Sequence, residues 1–403
     1  MRRLQSKQSV VSLRAVLAGT IRVLSVIILA GILTTATAEF PDGSIKAYVS
    51  HTQMVIVTKD SDRWTTGQLT LCRLDGSIFV LPSLTLSGGG RMRLFYGELY
   101  EPLLAVGYDR IVSRDDGYAD LTSNLWKNRS ALLNSAADRL FADYTHGDWQ
   151  VRLGRHRINW GKTLVWNPND IFNAFSGFDP LYVEGPGTDA LLVRRYLGAA
   201  SQVEAVWAKN AVSNDSSTVA ALAQVNIYGF DVQALTGWMR HDVVIGTGFS
   251  GQAGGAALRG ELSLFNNEHF SDDLQTVASL SADYTFPHEI WVQAAILYNS
   301  SGKQSPSDGF ASLLNERITA RHLSDAMWQC YLQATWQITP LWSIDMSSIV
   351  NPVDGSFLLM PLTTVSLAEN LEVKFQAQVQ AGERQDQFGG KENAVYGSVQ
   401  MNF

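Results

Sequence analysis

The chain has 403 residues, 31 of them basic and 38 acidic, for a formal charge of −7; 46% are hydrophobic, 10% aromatic and 33 are glycine. The acidic balance argues against a nucleic-acid partner, which wants a basic surface. Cys72 and Cys330 are far apart and have no metal-type spacing, so both are expected to be free thiols, even in an oxidising compartment.

Residues 1–38 read as an export signal. Arg2, Arg3, Lys7, Arg14 and Arg22 form a positive region, Val23 to Leu33 an apolar run, and Ala36-Thr37-Ala38 a small-residue cleavage site. The run falls short of the ~20 residues that a spanning helix needs, so the expected mature chain starts at Glu39. Taking five of the 31 basic residues away leaves 26 against 38 acidic, a charge of −12. No later apolar run is long enough for a membrane helix. The apolar residues are instead dispersed as period-two alternation, which suits a wall with lipid on one side and water on the other.

Strands are expected near 46–57 and 66–73, then a long one near 77–95, followed by an external excursion over about 97–136. The next stretch is the most distinctive. Asp138-Arg139-Leu140 leads into Trp149-Gln150-Val151-Arg152-Leu153-Gly154-Arg155-His156-Arg157-Ile158-Asn159-Trp160-Gly161, then Trp166-Asn167-Pro168-Asn169-Asp170-Ile171-Phe172-Asn173. Strict parity puts Arg152 and His156 on one face with Gln150, and Arg155 and Arg157 on the other with Leu153. An arginine facing lipid at mid-depth costs roughly 2–4 kcal/mol. Either the strand bulges near Gly154, or Arg155 and Arg157 sit at the rim. The loop from Asn159 to Thr188 carries Trp160, Trp166, Phe172, Phe175 and Phe178, too apolar to stay in water, so it is expected to fold into the barrel and narrow it. Arg194 and Arg195 arrive on the following strand. The functional expectation is a positively lined constriction opposed by Asp170, Glu184, Asp189 or Glu204, since arginine forks suit carboxylates and phosphates. The competing expectation is that these arginines pair with lumenal acids and hold loop and wall together; the two are compatible.

This run of residues resembles a segment of the porin-like superfamily of Gram-negative outer-membrane barrels that includes alginate-export-type channels. The resemblance is sharp over residues 138–195 and diffuse elsewhere. It implies a barrel of 18 strands conducting anionic or neutral small solutes or saccharides, and by position it marks Arg152, Arg155, Arg157 and Arg194 as pore residues.

Further along, alternation defines more strands. Tyr228, Phe230, Val232, Ala234, Thr236 and Trp238 form an outer face, with Asp231 and Gln233 inward. Leu258, Leu262 and Leu264 oppose Arg259, Glu261 and Ser263. In residues 328–338 the polar set is Gln329, Tyr331, Gln333, Thr335 and Gln337; in 371–380 it is Glu372, Lys374, Gln376, Gln378 and Gln380. Arg139, Arg259, Glu261, Glu372 and Lys374 therefore join the expected pore lining. Gly246-Thr247-Gly248-Phe249-Ser250-Gly251 spells a dinucleotide fingerprint, but an alternating strand follows where a helix is required. No histidine pair has metal spacing, and Ser279, Ser281, Asp283 and His288 do not form a triad. The last strand alternates to its end: Val395, Gly397, Val399 and Met401 on one face, Tyr396, Ser398, Gln400 and Asn402 on the other, closed by Phe403.

Counting connections back from Phe403, short and long alternate, with a third long loop near 300–326 and one discordant short turn at Arg240-His241-Asp242. The fold class is all-β: a transmembrane antiparallel up-and-down barrel of about 18 strands, with about 16 or 20 as the bounds. Residues 39–403 are expected to form this single unit. The expected partners are outer-membrane lipid, the barrel-insertion machinery and a small hydrophilic solute or oligosaccharide. No cofactor and no metal are expected. The rival readings are a polysaccharide export pore and, further off, a barrel-borne hydrolase.

Overall fold

The protein is described by a computed structural model covering residues 42–59, 63–174, 185, 187–209, 217–267, 269, 273–303, 318–390 and 392–403. The expected signal, Glu184, Phe175 and Phe178 lie outside the described residues.

The chain forms β1 (Gly43–Thr58), β2 (Arg63–Leu81), β3 (Leu84–Tyr96), two short helices α1 (Tyr100–Ala105) and α2 (Tyr108–Val112), then β4 (Thr122–Lys127), β5 (Ala131–His146) and β6 (Trp149–His156). It continues through β7 (Thr188–Tyr196), β8 (Gln202–Ala208), β9 (Thr218–Ile227), β10 (Phe230–Met239), β11 (Asp242–Ala253), β12 (Ala256–Asn267) and β13 (Gln275–Phe286). The last six are β14 (Ile290–Asn299), β15 (Trp328–Thr339), β16 (Trp342–Val350), β17 (Phe357–Ala368), β18 (Leu371–Ala381) and β19 (Glu392–Asn402). Each strand pairs antiparallel with its sequence neighbour, β3 pairs with β5, and β19 returns to β1, closing a ring of 18 strands. β4 stays outside the ring. It pairs with residues 132–136 of β5, on the edge left open above the end of the short β6.

Alternation dictates the wall. Leu332, Trp336, Leu280 and Phe375 face outward and are about half exposed, whereas Gln329, Gln378 and Ser281 on the other parity are 2% exposed. An apolar belt running around the whole cylinder is far larger than the few hundred Å² that soluble proteins leave exposed, so its solvent is lipid. Aromatic side chains mark both rims: Trp149, Trp336, Trp342 and Tyr284 at the end of the cylinder with the tight turns, Trp64, Trp207, Trp238 and Trp328 at the other end. Both cysteines are free; Cys72 is exposed and Cys330 partly so. The two-residue hairpins Tyr228-Gly229 and Gly254-Gly255 have positive φ at both positions, the backbone twist that matches the flanking strands. The short Arg240-His241 turn is real, with β10 ending at Met239 and β11 starting at Asp242.

One detail differs from the sequence reading. The break expected near residues 74–76 is absent: β2 runs on to Leu81 and the turn falls at Pro82-Ser83. Asp75-Gly76 looks like a turn, but Asp75 is a wall residue that accepts from Arg73 Nε at 2.6 Å. Of the two alternatives for Arg155 and Arg157, the bulge near Gly154 is not the one formed. β6 pairs in regular register with both neighbours, while the register shifts between Gly89 and Gly90 opposite Asp138. Gly246 to Gly251 lie inside β11, an extended strand.

The lumen is not polar along its whole length. Towards the long connections the inward positions are apolar: Val206, Leu222, Leu235, Val244, Phe265, Val277, Leu297, Ile349 and Leu358. Ile158, Trp160, Trp166 and Ile171 of the β6–β7 connection pack on this collar, together with Leu323 and Phe388. A second cluster joins α1 and α2 to the wall: Tyr100 and Leu104 pack on Met54, Leu69, Phe95, Leu132 and Tyr396. Apolar spacing in Tyr100, Leu103, Leu104, Tyr108 and Val112 was the available signal for this inward packing. Among the described residues no helix is long and apolar enough to cross a membrane.

Candidate functional site

The polar half of the lumen, towards the tight turns, carries a side-chain ladder across β5 to β8. The turn at Gly147-Asp148 sets Arg152 opposite Asp143. Arg152 Nε donates to Asp143 Oδ2 at 2.7 Å, and Gln150 Nε2 donates to Asp143 Oδ1 at 2.9 Å. Arg194 Nη1 donates to Gln150 Oε1 at 2.9 Å and Arg194 Nε to Glu204 Oε1 at 3.0 Å. Tyr196 and Gln202 complete the row, through Gln150 at 3.1 Å and Glu204 at 2.8 Å. The Arg152 guanidinium lies 4.9 Å from the Phe141 ring centre. These arginines are paired but not sealed: the Arg152 and Arg194 side chains keep 25% and 24% exposure, against 2% for Arg73 on β2.

The segment after β6 bonds to the β8 end of this ladder and to the adjoining inner wall of β9 to β12. Trp160 Nε1 donates to Glu204 Oε2 at 3.1 Å, and Gln233 Nε2 to the Trp160 carbonyl at 2.6 Å. Ser263 Oγ donates to the Pro168 carbonyl at 2.9 Å, and Asn169 Nδ2 to the Thr247 carbonyl at 3.0 Å. Trp166 meets the Tyr331 ring edge-on at 6.3 Å. Lys162 Nζ donates to Gln224 Oε1 at 2.8 Å, and burial lowers the pKa of its ammonium.

The other expected site residues are scattered. Arg155 keeps the parity of the exposed Leu153 and sits at the upper end of β6, so the rim and not a bulge accounts for it. Its guanidinium makes a two-pronged contact with Asp189 at 2.9 Å on each prong and reaches Asp115 Oδ2 at 2.6 Å. His156 next to it is fully buried, with Nδ1 2.9 Å from the Gly154 carbonyl. Arg139 lies on β5 opposite Gly89. Arg157 follows β6 near Asp170, which is buried in the loop and therefore does not face the ladder arginines. Arg259 pairs with Asp283, to which Trp291 Nε1 also donates at 3.2 Å. Lys374 and Glu372 pair on β18 at 2.6 Å. Glu261 is 4% exposed and holds loop backbone. Asp143, Lys162 and Asp115 are not marked in the sequence analysis, whereas Gln150 shares its face with Arg152 there. Hairpin arithmetic around Gly147-Asp148 would have found Asp143; nothing local points to Asp115.

Asp170 titrates unusually. Burial pushes its carboxyl up to about 7, and the nearby Glu261 adds to this, against the Asn173 N–H and the positive charge of Arg157. The folded state therefore binds its proton more tightly than the unfolded chain, whose aspartate titrates near 3.9. Its contribution to stability is full below about pH 4 and is lost as pH rises towards 7. The melting temperature is expected to fall between pH 5 and pH 8, and by less in Asp170→Asn; equal falls in the two proteins would contradict this.

The fold is that of the porin-like outer-membrane β-barrels. No protein-family model matches the chain, and no curated protein does. Among solved structures, OprD of Pseudomonas aeruginosa is similar, with a TM-score of 0.56 and 11% identity over 92% of this chain and 98% of that one. OccAB3 of Acinetobacter baumannii gives 0.57 and 9% over 90% and 100%, and OccK11 of Pseudomonas aeruginosa gives 0.55 and 10% over 90% and 96%. At such identities the likeness concerns architecture alone.

Proposed function

We propose that the protein is a passive outer-membrane channel for small hydrophilic solutes, reached by export through its N-terminal signal and by the barrel-insertion machinery. The reading is carried by one observation: a closed ring encloses a row of paired but water-exposed arginines, Arg152 and Arg194. Charged side chains inside a sealed wall and in contact with water act on whatever passes. Their forks favour carboxylate or phosphate groups and the hydroxyls of saccharides, while the partner acids Asp143 and Glu204 fix their geometry. Residues 157–174, bonded to β8 through β12, narrow the passage beside the ladder. Selection then works by charge and size, without bond-making.

Purified protein in planar bilayers is expected to show unitary conductance steps. Replacing Arg152 by alanine leaves Asp143 without its fork and makes the row more negative. One charge acts with roughly 1 kcal/mol at 4 Å in water-like surroundings, about a fivefold effect, so the cation-to-anion permeability ratio, read from the reversal potential in a salt gradient, should rise by about that factor. A properly folded barrel that never conducts would overturn the reading.

A further inference from the structure

We propose that Glu261 is the positioning residue of the lumenal loop: its carboxylate, seated in a cradle of backbone N–H groups from residues 162–169, fixes where the loop stands and hence the bore. The proposal rests on the channel reading for its consequence, but not for its geometry.

Glu261 projects from the inner face of β12 and is 4% exposed. Oε1 accepts from the Lys162 N–H and from the Thr163 N–H at 2.7 Å; the Thr163 hydroxyl, whose one proton the closer Trp166 carbonyl also faces, lies 3.2 Å from it. Oε2 accepts from the Asn169 N–H at 2.8 Å. The Asn167 amide, turned so that its nitrogen faces the Thr163 carbonyl, adds a donor 3.1 Å from Oε1. Among the described residues Glu261 forms no ion pair with a lysine or arginine. Converging peptide dipoles meet its charge, as in an anion-binding nest.

One carboxylate thus ties both ends of a turn, residues 162–163 and residue 169, to the wall. The loop's other wall contacts near it, the Ser263 hydroxyl shared between Pro168 and Asn169, and Asn169 to Thr247, are neutral bonds. Charge-assisted bonds are roughly twice as strong as neutral ones, so the carboxylate dominates this attachment. What it positions matters for passage: the turn carries Lys162, which reaches Gln224, and follows Trp160, which reaches Glu204 at the end of the arginine ladder.

Glu261→Gln keeps the shape but removes the charge and turns an amide nitrogen towards the loop's own donors. Two readouts apply to the full-length protein refolded into bilayers, with heat-modifiable migration as the check on assembly. The first is current: loop excursions, seen as noise and brief larger openings, should become about ten- to a hundredfold more frequent, the ratio that losing charge-assisted bonds gives. The second needs no conduction: the Lys162 side-chain amine, in its neutral form, should be acylated by a small active ester faster by the same factor, read by mass spectrometry. In Glu261→Ala, sodium formate should occupy the vacated cradle and restore slow labelling and quiet current, where sodium chloride at equal ionic strength does not. A purely structural role for the side chain would show no such rescue. Should Glu261→Gln fail to assemble, Thr163→Val on the loop side is read in the same assays, with a smaller increase expected. Unchanged labelling in an assembled variant, or formate acting no differently from chloride, overturns the proposal. A wild-type protein that never conducts but whose variants label faster overturns only the channel reading.

Discussion

Arg155→Ala is expected to be the most damaging single substitution in the barrel, lowering stability by about 3–5 kcal/mol, the range for removing one partner from a buried ion-pair cluster. The Arg155 side chain is 5% exposed and its partners Asp115 and Asp189 are 8% and 16% exposed. Truncation would leave two carboxylates facing each other with no cation between them. The same guanidinium donates to the Ala137 carbonyl at 3.3 Å and the Ala119 carbonyl at 2.5 Å. It therefore pins the segment between α2 and β4 to the edge of β5, above the point where β6 stops. Denaturant midpoints of the refolded variant measure the loss. Arg155→Lys should recover only part of it, because an ammonium cannot reproduce the two-pronged contact with Asp189. A midpoint within about 1 kcal/mol of the wild type would mean that the cluster is solvated and weak.

A pair of adjacent substitutions on β15 should separate the two sides of the wall. Leu332 is 55% exposed and points outward near the middle of the strand, whereas Gln333 faces the lumen. Leu332→Arg should cost about 2–4 kcal/mol in lipid, the depth-dependent penalty for a guanidinium near the midplane. Gln333→Arg should cost little, because Asp345 lies on the neighbouring strand, 3.5 Å from the Gln333 amide nitrogen. The folded fraction after refolding into vesicles reports both. Equal losses would show that the outward face of β15 does not meet hydrocarbon.

The strand parities were legible because a pleated strand has only two faces and each must suit one solvent. Residues 328–338, 371–380 and 394–402 alternate cleanly enough to assign inside and outside, and the register puts them there. Where alternation met a second local signal the reading slipped. Asp75-Gly76 reads as a turn, and only the ion pairs of Arg73 with Asp75 and Asp138 show why the strand continues. The arginine run stands out in the sequence, yet its members separate: Arg152 and Arg194 enter the ladder, Arg155 closes the rim, and Arg157 approaches Asp170. Neighbours in sequence alternate sides and end at different heights, so a cluster in the sequence is not a cluster in space. Glu261 was named for its parity, but its partners lie 92 to 99 positions away.

The amino-acid order alone determined the closed antiparallel wall, the outward and inward sets, and the alternation of short and long connections, because each follows from interactions within a strand or across one hairpin. Only the tertiary structure decided that the loop-side half of the lumen is apolar, that α1 and α2 pack on an inward face, which wall residues hold residues 157–174, and which acid each arginine meets. Those outcomes depend on ring closure, which brings together side chains whose separation along the chain carries no periodic signal.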